Sequence, residues 1–153
     1  SPQVIFSILR YQPNRYLAMS LKSEKQSQSP VTKVLVVEDN IPNMNYLLFI
    51  LKKLNIPAVS AYSGEEALEV LNNQHIDVML LDIHLGTQMS GIDLLHELRK
   101  KEVYQNTPAV AVTAYYSRIS KELIDSGFDQ YLAKPFSPDQ LKDILDQYIP
   151  LEA

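Results

Sequence analysis

Four short stretches of this 153-residue chain end on side chains that can do chemistry. "KVLVVED" closes on Glu38 and Asp39, "DVMLLD" on Asp82, "PAVAVT" on Thr113 and "DQYLAK" on Lys134. Each run before those residues is apolar, as in a strand covered on both faces. Singly, each has an ordinary explanation: an acid after a strand caps a turn or a helix, and a lysine before a turn is solvated. Jointly they ask for more. Carboxylates gathered at one place repel and raise each other's pKa, and a divalent cation relieves that repulsion. Oxygen-only ligands favour Mg²⁺, which binds through one or two carboxylates, keeps several waters and bridges to phosphate. Mn²⁺ is the natural substitute, and Lys134 brings a further positive charge.

The elements around these residues decide whether they meet. From Val31 onward apolar runs of strand length alternate with helical stripes. After the first run, Asn40 is placed to cap a helix and Pro42 is tolerated in its first turn. Met44, Leu47, Leu48, Leu51 and Leu54 form its apolar stripe. "PAVSAY" is a second strand, and "SGEEALEVLNN" a helix with Ser63 as N-cap and Glu66 three residues on. After the third strand, "IHLGTQMS" is a loop and a helix runs from Gly91 to about Lys101. "PAVAVTA" is followed by "SRISKELIDSG", a helix ending on Gly127. "DQYLAKP" precedes "SPDQLKDILDQYI", whose stripe is Leu141, Ile144, Leu145, Tyr148 and Ile149. Five β–α pairs in strict alternation imply an α/β fold: a doubly wound, five-stranded parallel sheet with right-handed crossovers. In such sheets ligands bind outside the carboxyl ends of the strands, where Glu38, Asp39, Asp82, Thr113 and Lys134 all fall.

Composition narrows the function. The net charge of −4 divides unevenly: residues 1–30 carry four bases and one acid, the remainder ten bases and seventeen acids. An acidic domain is a poor match for nucleic acid, whose phosphates require a basic face. No apolar run approaches the length of a membrane span, and cysteine is absent, as suits a reducing cytoplasm. Residues 1–30 read as an extension, with "SLKSEKQSQSP" a polar linker leading to a domain over 31–150. The stretch before the linker is either a docking segment or sequence that is not native to the domain, with Met19 a true start.

The stretches "VLVVEDN", "MLLDIHL", "AVAVTA" and "YLAKPF", in this order and spacing, resemble the receiver domain of two-component response regulators over Val31 to about Ile149. That resemblance implies the flavodoxin-like strand order 2-1-3-4-5. It makes Asp82 the phosphoacceptor, which takes a phosphoryl group from a sensor histidine kinase or a histidine phosphotransfer protein. Asp39 becomes a direct Mg²⁺ ligand, Glu38 a ligand through water, and Asp82 and the backbone carbonyl of His84 complete the protein's share. Thr113 and Lys134 meet the phosphoryl group, Tyr131 is the aromatic switch that turns inward with Thr113, and the Lys134–Pro135 peptide bond is cis. The domain would be a signalling module and not an enzyme, capable of self-phosphorylation, slow autodephosphorylation and phosphorylation-dependent homodimerisation.

The chain departs from the family in one loop. "LG" follows His84 where Met-Pro is common, and Gly91 lies nine residues after Asp82 where eight is usual, with Gly86 expected to supply the turn's conformational freedom. His84 and Tyr115 are candidates for tuning the lifetime of the phosphorylated state, small Ala114 leaves the pocket open to a phosphodonor, and Tyr115–Tyr116 could anchor an output partner. Other classes fit less well. A degenerate receiver acting only as a docking module usually lacks an acid, the acceptor or the lysine. A phosphohydrolase with an aspartate nucleophile wants a second aspartate where His84 stands. A nucleotide or flavin domain wants a glycine-rich loop after the first strand, and none of the four glycines is there.

Overall fold

In the computed structural model, residues 32–86, 88–114 and 121–150 are described. The proposed N-terminal extension, Tyr115 and Tyr116 lie outside them. The β-branched and aliphatic runs form five strands: β1 (Val34–Val37), β2 (Ala58–Ala61), β3 (Val78–Asp82), β4 (Ala109–Thr113) and β5 (Gln130–Ala133). All pair in parallel, in the order β2-β1-β3-β4-β5. The expected strand order is therefore observed. β1, β3 and β4 are buried along their whole length, which explains their unbroken hydrophobicity.

Among the described residues, five α-helices cover the sheet: α1 (Ile41–Lys53), α2 (Gly64–Leu71), α3 (Gly91–Arg99), α4 (Lys121–Asp125) and α5 (Pro138–Leu145). Alternation along the strands sorts the core into two compartments. Val34, Val36, Val78, Leu80, Val110, Val112 and Leu132 pack with Met44, Leu47, Ile50 and Leu51 of α1 and Leu141 and Leu145 of α5. Leu35, Val37, Met79, Leu81, Ala109 and Ala111 pack with Ala67 and Leu71 of α2, Leu94, Leu95 and Leu98 of α3 and Leu123 of α4.

Helix ends follow local chemistry. Asn40 accepts from the Asn43 N–H at 2.9 Å, as its capping role predicts. Ser63 accepts from the Glu66 N–H at 3.0 Å, but the Glu66 carboxylate reaches past the cap to the Tyr62 N–H at 2.8 Å. Reciprocal capping boxes form instead at Ser90–Asp93 and Ser137–Gln140. α3 ends at Arg99, short of Lys101, because a 3₁₀ turn (Glu102–Tyr104) follows. There the Arg99 guanidinium donates to the carbonyls of Tyr104 and Thr107, both at 2.6 Å, and lies 3.7 Å from Asp129. Gly127 takes φ +97° just past α4, a conformation that favours glycine.

Candidate functional site

The β-ladders continue past the strand ends and set the site. The Glu38 N–H donates to the Ala61 carbonyl at 3.1 Å, the Ile83 N–H to Val112 at 3.1 Å, and the Lys134 N–H to Thr113 at 2.8 Å. With Val37 opposite Leu81 and Asp82 opposite Val112, register carries Glu38, Asp82 and Lys134 to the same rim of the sheet. Glu38 and Asp82 are 1% and 5% exposed, yet neither carboxylate is bare. Glu38 accepts from the Asn40 N–H at 3.2 Å and from Lys134 Nζ at 2.7 Å. Asp82 accepts from the His84 N–H at 2.9 Å on Oδ1 and from Lys134 Nζ at 3.0 Å on Oδ2. The exposed Asp39 accepts from the Gly86 N–H at 2.9 Å.

One oxygen from each of Glu38, Asp39 and Asp82 lies within 4.8 Å of the others, the one cluster of three ligand-bearing side chains among the described residues. Three acids facing one ammonium leave a formal charge of −2, the complement of a divalent cation, and hard oxygen donors suit Mg²⁺. Burial pushes the Glu38 pKa up; the Lys134 hydrogen bond opposes this and the Asp82 charge adds to it. For Lys134, burial alone would lower the pKa, but hydrogen bonds to Glu38 and Asp82 and their charges outweigh it, so its pKa rises. The amine therefore stays an ammonium.

Thr113 ends β4, is 2% exposed, and by alternation falls on the side of Ala109 and Ala111. Tyr131 belongs to the same side, half-buried, with its hydroxyl donating to the Leu123 carbonyl of α4 at 3.3 Å. His84 is exposed; its backbone N–H is what touches Asp82. The Lys134–Pro135 peptide bond is cis. Ala114 is exposed and lines a groove of about 470 Å³ with Asn43, Tyr46, Leu47, Lys134, Pro135 and Phe136.

The glycine expectation needs correction. Among the described residues only Gly127 is a glycine with positive φ, so Gly86 does not serve through conformational freedom. Its role is the N–H that grips the Asp39 carboxylate; a Cβ there would stand 2.9 Å from that oxygen, the tip of an exposed side chain that can shift. Gly91 matters more. Its Cβ would lie 2.2 Å from the Asp82 carbonyl oxygen, so only glycine lets α3 start against the backbone of that acid. The sequence displayed the spacing of Gly91 but not this contact. Tyr46, which donates its hydroxyl to the Phe136 carbonyl at 2.9 Å, had no signal in the sequence at all.

A family model for the response regulator receiver domain matches residues 34–146. This chain belongs to that family. As a receiver domain it is a signalling module of two-component systems. Its fold is similar to that of the chemotaxis protein CheY4 of Vibrio cholerae, with a TM-score of 0.72 and 27% identity over 78% of this chain and 99% of that one. The receiver domain of the sensor histidine kinase PA1611 from Pseudomonas aeruginosa, with a magnesium ion coordinated in its active site cleft, gives 0.71 and 28% over 78% and 98%. The response regulator TrrA from Thermotoga maritima, in complex with Mg²⁺-BeF, gives 0.66 and 30% over 77% and 99%. None of the described helices is long and apolar enough to cross a membrane.

Proposed function

We propose that this receiver is an active phosphoacceptor, taking a phosphoryl group on Asp82 from a phosphohistidine of a sensor kinase or phosphotransfer protein. The observation that carries this reading is the joint grip of Lys134 on Glu38 and Asp82 beside Asp39. An Asp82 carboxylate oxygen attacks phosphorus in line while the bond from phosphorus to the donor nitrogen breaks, and its electron pair leaves with the imidazole. Lys134 follows the negative charge from the carboxylate to the phosphoryl oxygens, and its ammonium needs no reorganisation to do so. Mg²⁺, or Mn²⁺ in its place, would be held by Asp39, Asp82, the His84 carbonyl and, through water, Glu38, and would neutralise charge on the transferring group. The His84 N–H, on Asp82 Oδ1, keeps the carboxylate oriented.

The new group adds about two negative charges at the rim. Thr113 responds through its hydroxyl and Tyr131 through its tie to α4, giving a switch between two packings. His84 and Tyr115 tune how long the phosphoryl group lasts, and the switched surface admits a homodimer or a downstream protein. Exposed Ile41, Tyr46 and Phe49 on α1 lie on the helix that starts beside the acids, and suit a protein donor better than a small molecule alone. The domain occupies residues 31–150, with residues 1–30 an extension to it. The test is incubation with acetyl phosphate and Mg²⁺, read by intact mass. One phosphoryl group is gained by the native chain and none by Asp82→Asn; a native chain that folds and binds Mg²⁺ but gains nothing would make it a docking module.

A further inference from the structure

We infer that Tyr46 is a positioning residue for Lys134, acting through the backbone of the turn that follows β5; this rests on the phosphoacceptor reading above. The amine has to stand within reach of both Glu38 Oε2 and Asp82 Oδ2, at 2.7 and 3.0 Å. Upstream, its backbone is fixed by the N–H bond to the Thr113 carbonyl. Downstream comes Pro135, which has no N–H to give. Among the described residues, the next backbone group held is the Phe136 carbonyl, which accepts from the Tyr46 hydroxyl at 2.9 Å. The two rings also touch, with centroids 5.5 Å apart and planes tilted by 39°, and Phe136 is otherwise buried against α1 and α5.

The consequence lies in which element carries Tyr46. α1 begins directly after Asn40, whose N–H grips Glu38. Tyr46 stands in the second turn of the same helix, about 9 Å further along at 1.5 Å per residue. One rigid helix therefore holds both ends of the shortest ion pair of the site: Glu38 at its start, and Lys134 through Phe136. Removing the hydroxyl frees the carbonyl from the helix while leaving α1, the acids and the ring packing in place. The amine then loses its fixed distance to Asp82, and misplacements of this kind cost rate more than binding.

The test is a double-mutant cycle on Mg²⁺-dependent phosphorylation by acetyl phosphate, using Tyr46→Phe and Lys134→Ala in the full chain. Tyr46→Phe should slow phosphorylation about tenfold with the Mg²⁺ Kd unchanged by calorimetry. In the Lys134→Ala background the same substitution should have no further effect, because the amine it positions is gone. An equal slowing in both backgrounds, or none in the native one, would overturn the inference. Should Lys134→Ala be too slow to time, the Mg²⁺ Kd of Tyr46→Phe decides: weakened in step with the rate, it shows a general disturbance and refutes the positioning role. Failure of the phosphoacceptor reading itself looks different, since then the native chain gains no phosphoryl group at all.

Discussion

Replacing Gly91 by alanine isolates the contact between α3 and the acceptor's backbone. An alanine Cβ would meet the Asp82 carbonyl oxygen at 2.2 Å and the Asp82 carbonyl carbon and Ile83 Cα at 2.9 Å each. Ordinary contact begins at 3.4 Å, so the shortfall exceeds 1 Å, and all three obstacles are backbone atoms that no rotamer can move aside. The φ of Gly91 is not positive, so the cost is steric and not conformational. Either α3 withdraws, stretching the 3.1 Å bond from the Gly91 N–H to the Ile83 carbonyl, or β3 yields at its end. Overpacking of this sort costs about 1–3 kcal/mol, and a weakened backbone hydrogen bond about 1 kcal/mol more. A total near 3 kcal/mol lowers Tm by roughly 10–15 °C in a domain of this size, which a thermal melt followed by circular dichroism will read. Gly64→Ala is the control. There the first obstacle, at 2.6 Å, is the sulfur of the flexible Met89 side chain, which can swing away, so that variant should lose less than about 1 kcal/mol. A Gly91→Ala melt within about 2 °C of the native one, or a Gly64→Ala loss as large as that of Gly91→Ala, would refute the reasoning.

Two further outcomes follow from groups away from that contact. Glu38 has its pKa raised by burial, so its contribution favours the fold below its ordinary value of 4.5 and is lost as pH rises through the higher folded value. In chelator-treated protein, the native chain should lose stability relative to Glu38→Gln as pH climbs from about 4 to about 8; a constant difference would contradict the burial assignment. Arg99→Ala leaves the Tyr104 and Thr107 carbonyls without their charged donor and should cost about 2–4 kcal/mol in urea unfolding. Arg99→Lys should recover less than half of that, since one ammonium does not reproduce the planar fork; full recovery would show that charge alone suffices.

The architecture was legible because the central strands β1, β3 and β4 are buried on both faces. An apolar run such as Val34–Val37 or Val78–Leu81, followed each time by a 3.6-residue stripe, leaves few topologies open. The strand-end residues were legible for the same reason: a parallel sheet sends every carboxyl end to one side, so Glu38, Asp39, Asp82, Thr113 and Lys134 had to converge. What escaped depended on backbone distances across elements far apart in sequence. The need for Gly91 arises from the Asp82 carbonyl and the service of Gly86 from an Asp39 oxygen, and neither contact leaves a local pattern. The Ser90–Asp93 and Ser137–Gln140 boxes were within reach of the sequence, since both show a serine followed three residues later by a matching acceptor. The Ser90–Asp93 box also explains why the helix after β3 starts where it does, whatever the length of the loop before it.

The alternation of the strands has a consequence for how this domain can change. By alternation from Val36, Leu80 and Leu132, Glu38, Asp82 and Lys134 fall on the side of the sheet packed by α1 and α5, whereas Thr113, by alternation from Ala111, falls with Tyr131 on the side packed by α2, α3 and α4. Under the proposed function, charging and response are therefore lodged in separate hydrophobic compartments that share only the rim. Val112 and Ala111 are neighbours in the chain, yet one contacts the layer beneath the acids and the other the layer beneath the switch. Adjacent positions on a single strand thus pack into different layers, and a substitution at one is felt in a different compartment from a substitution at the next.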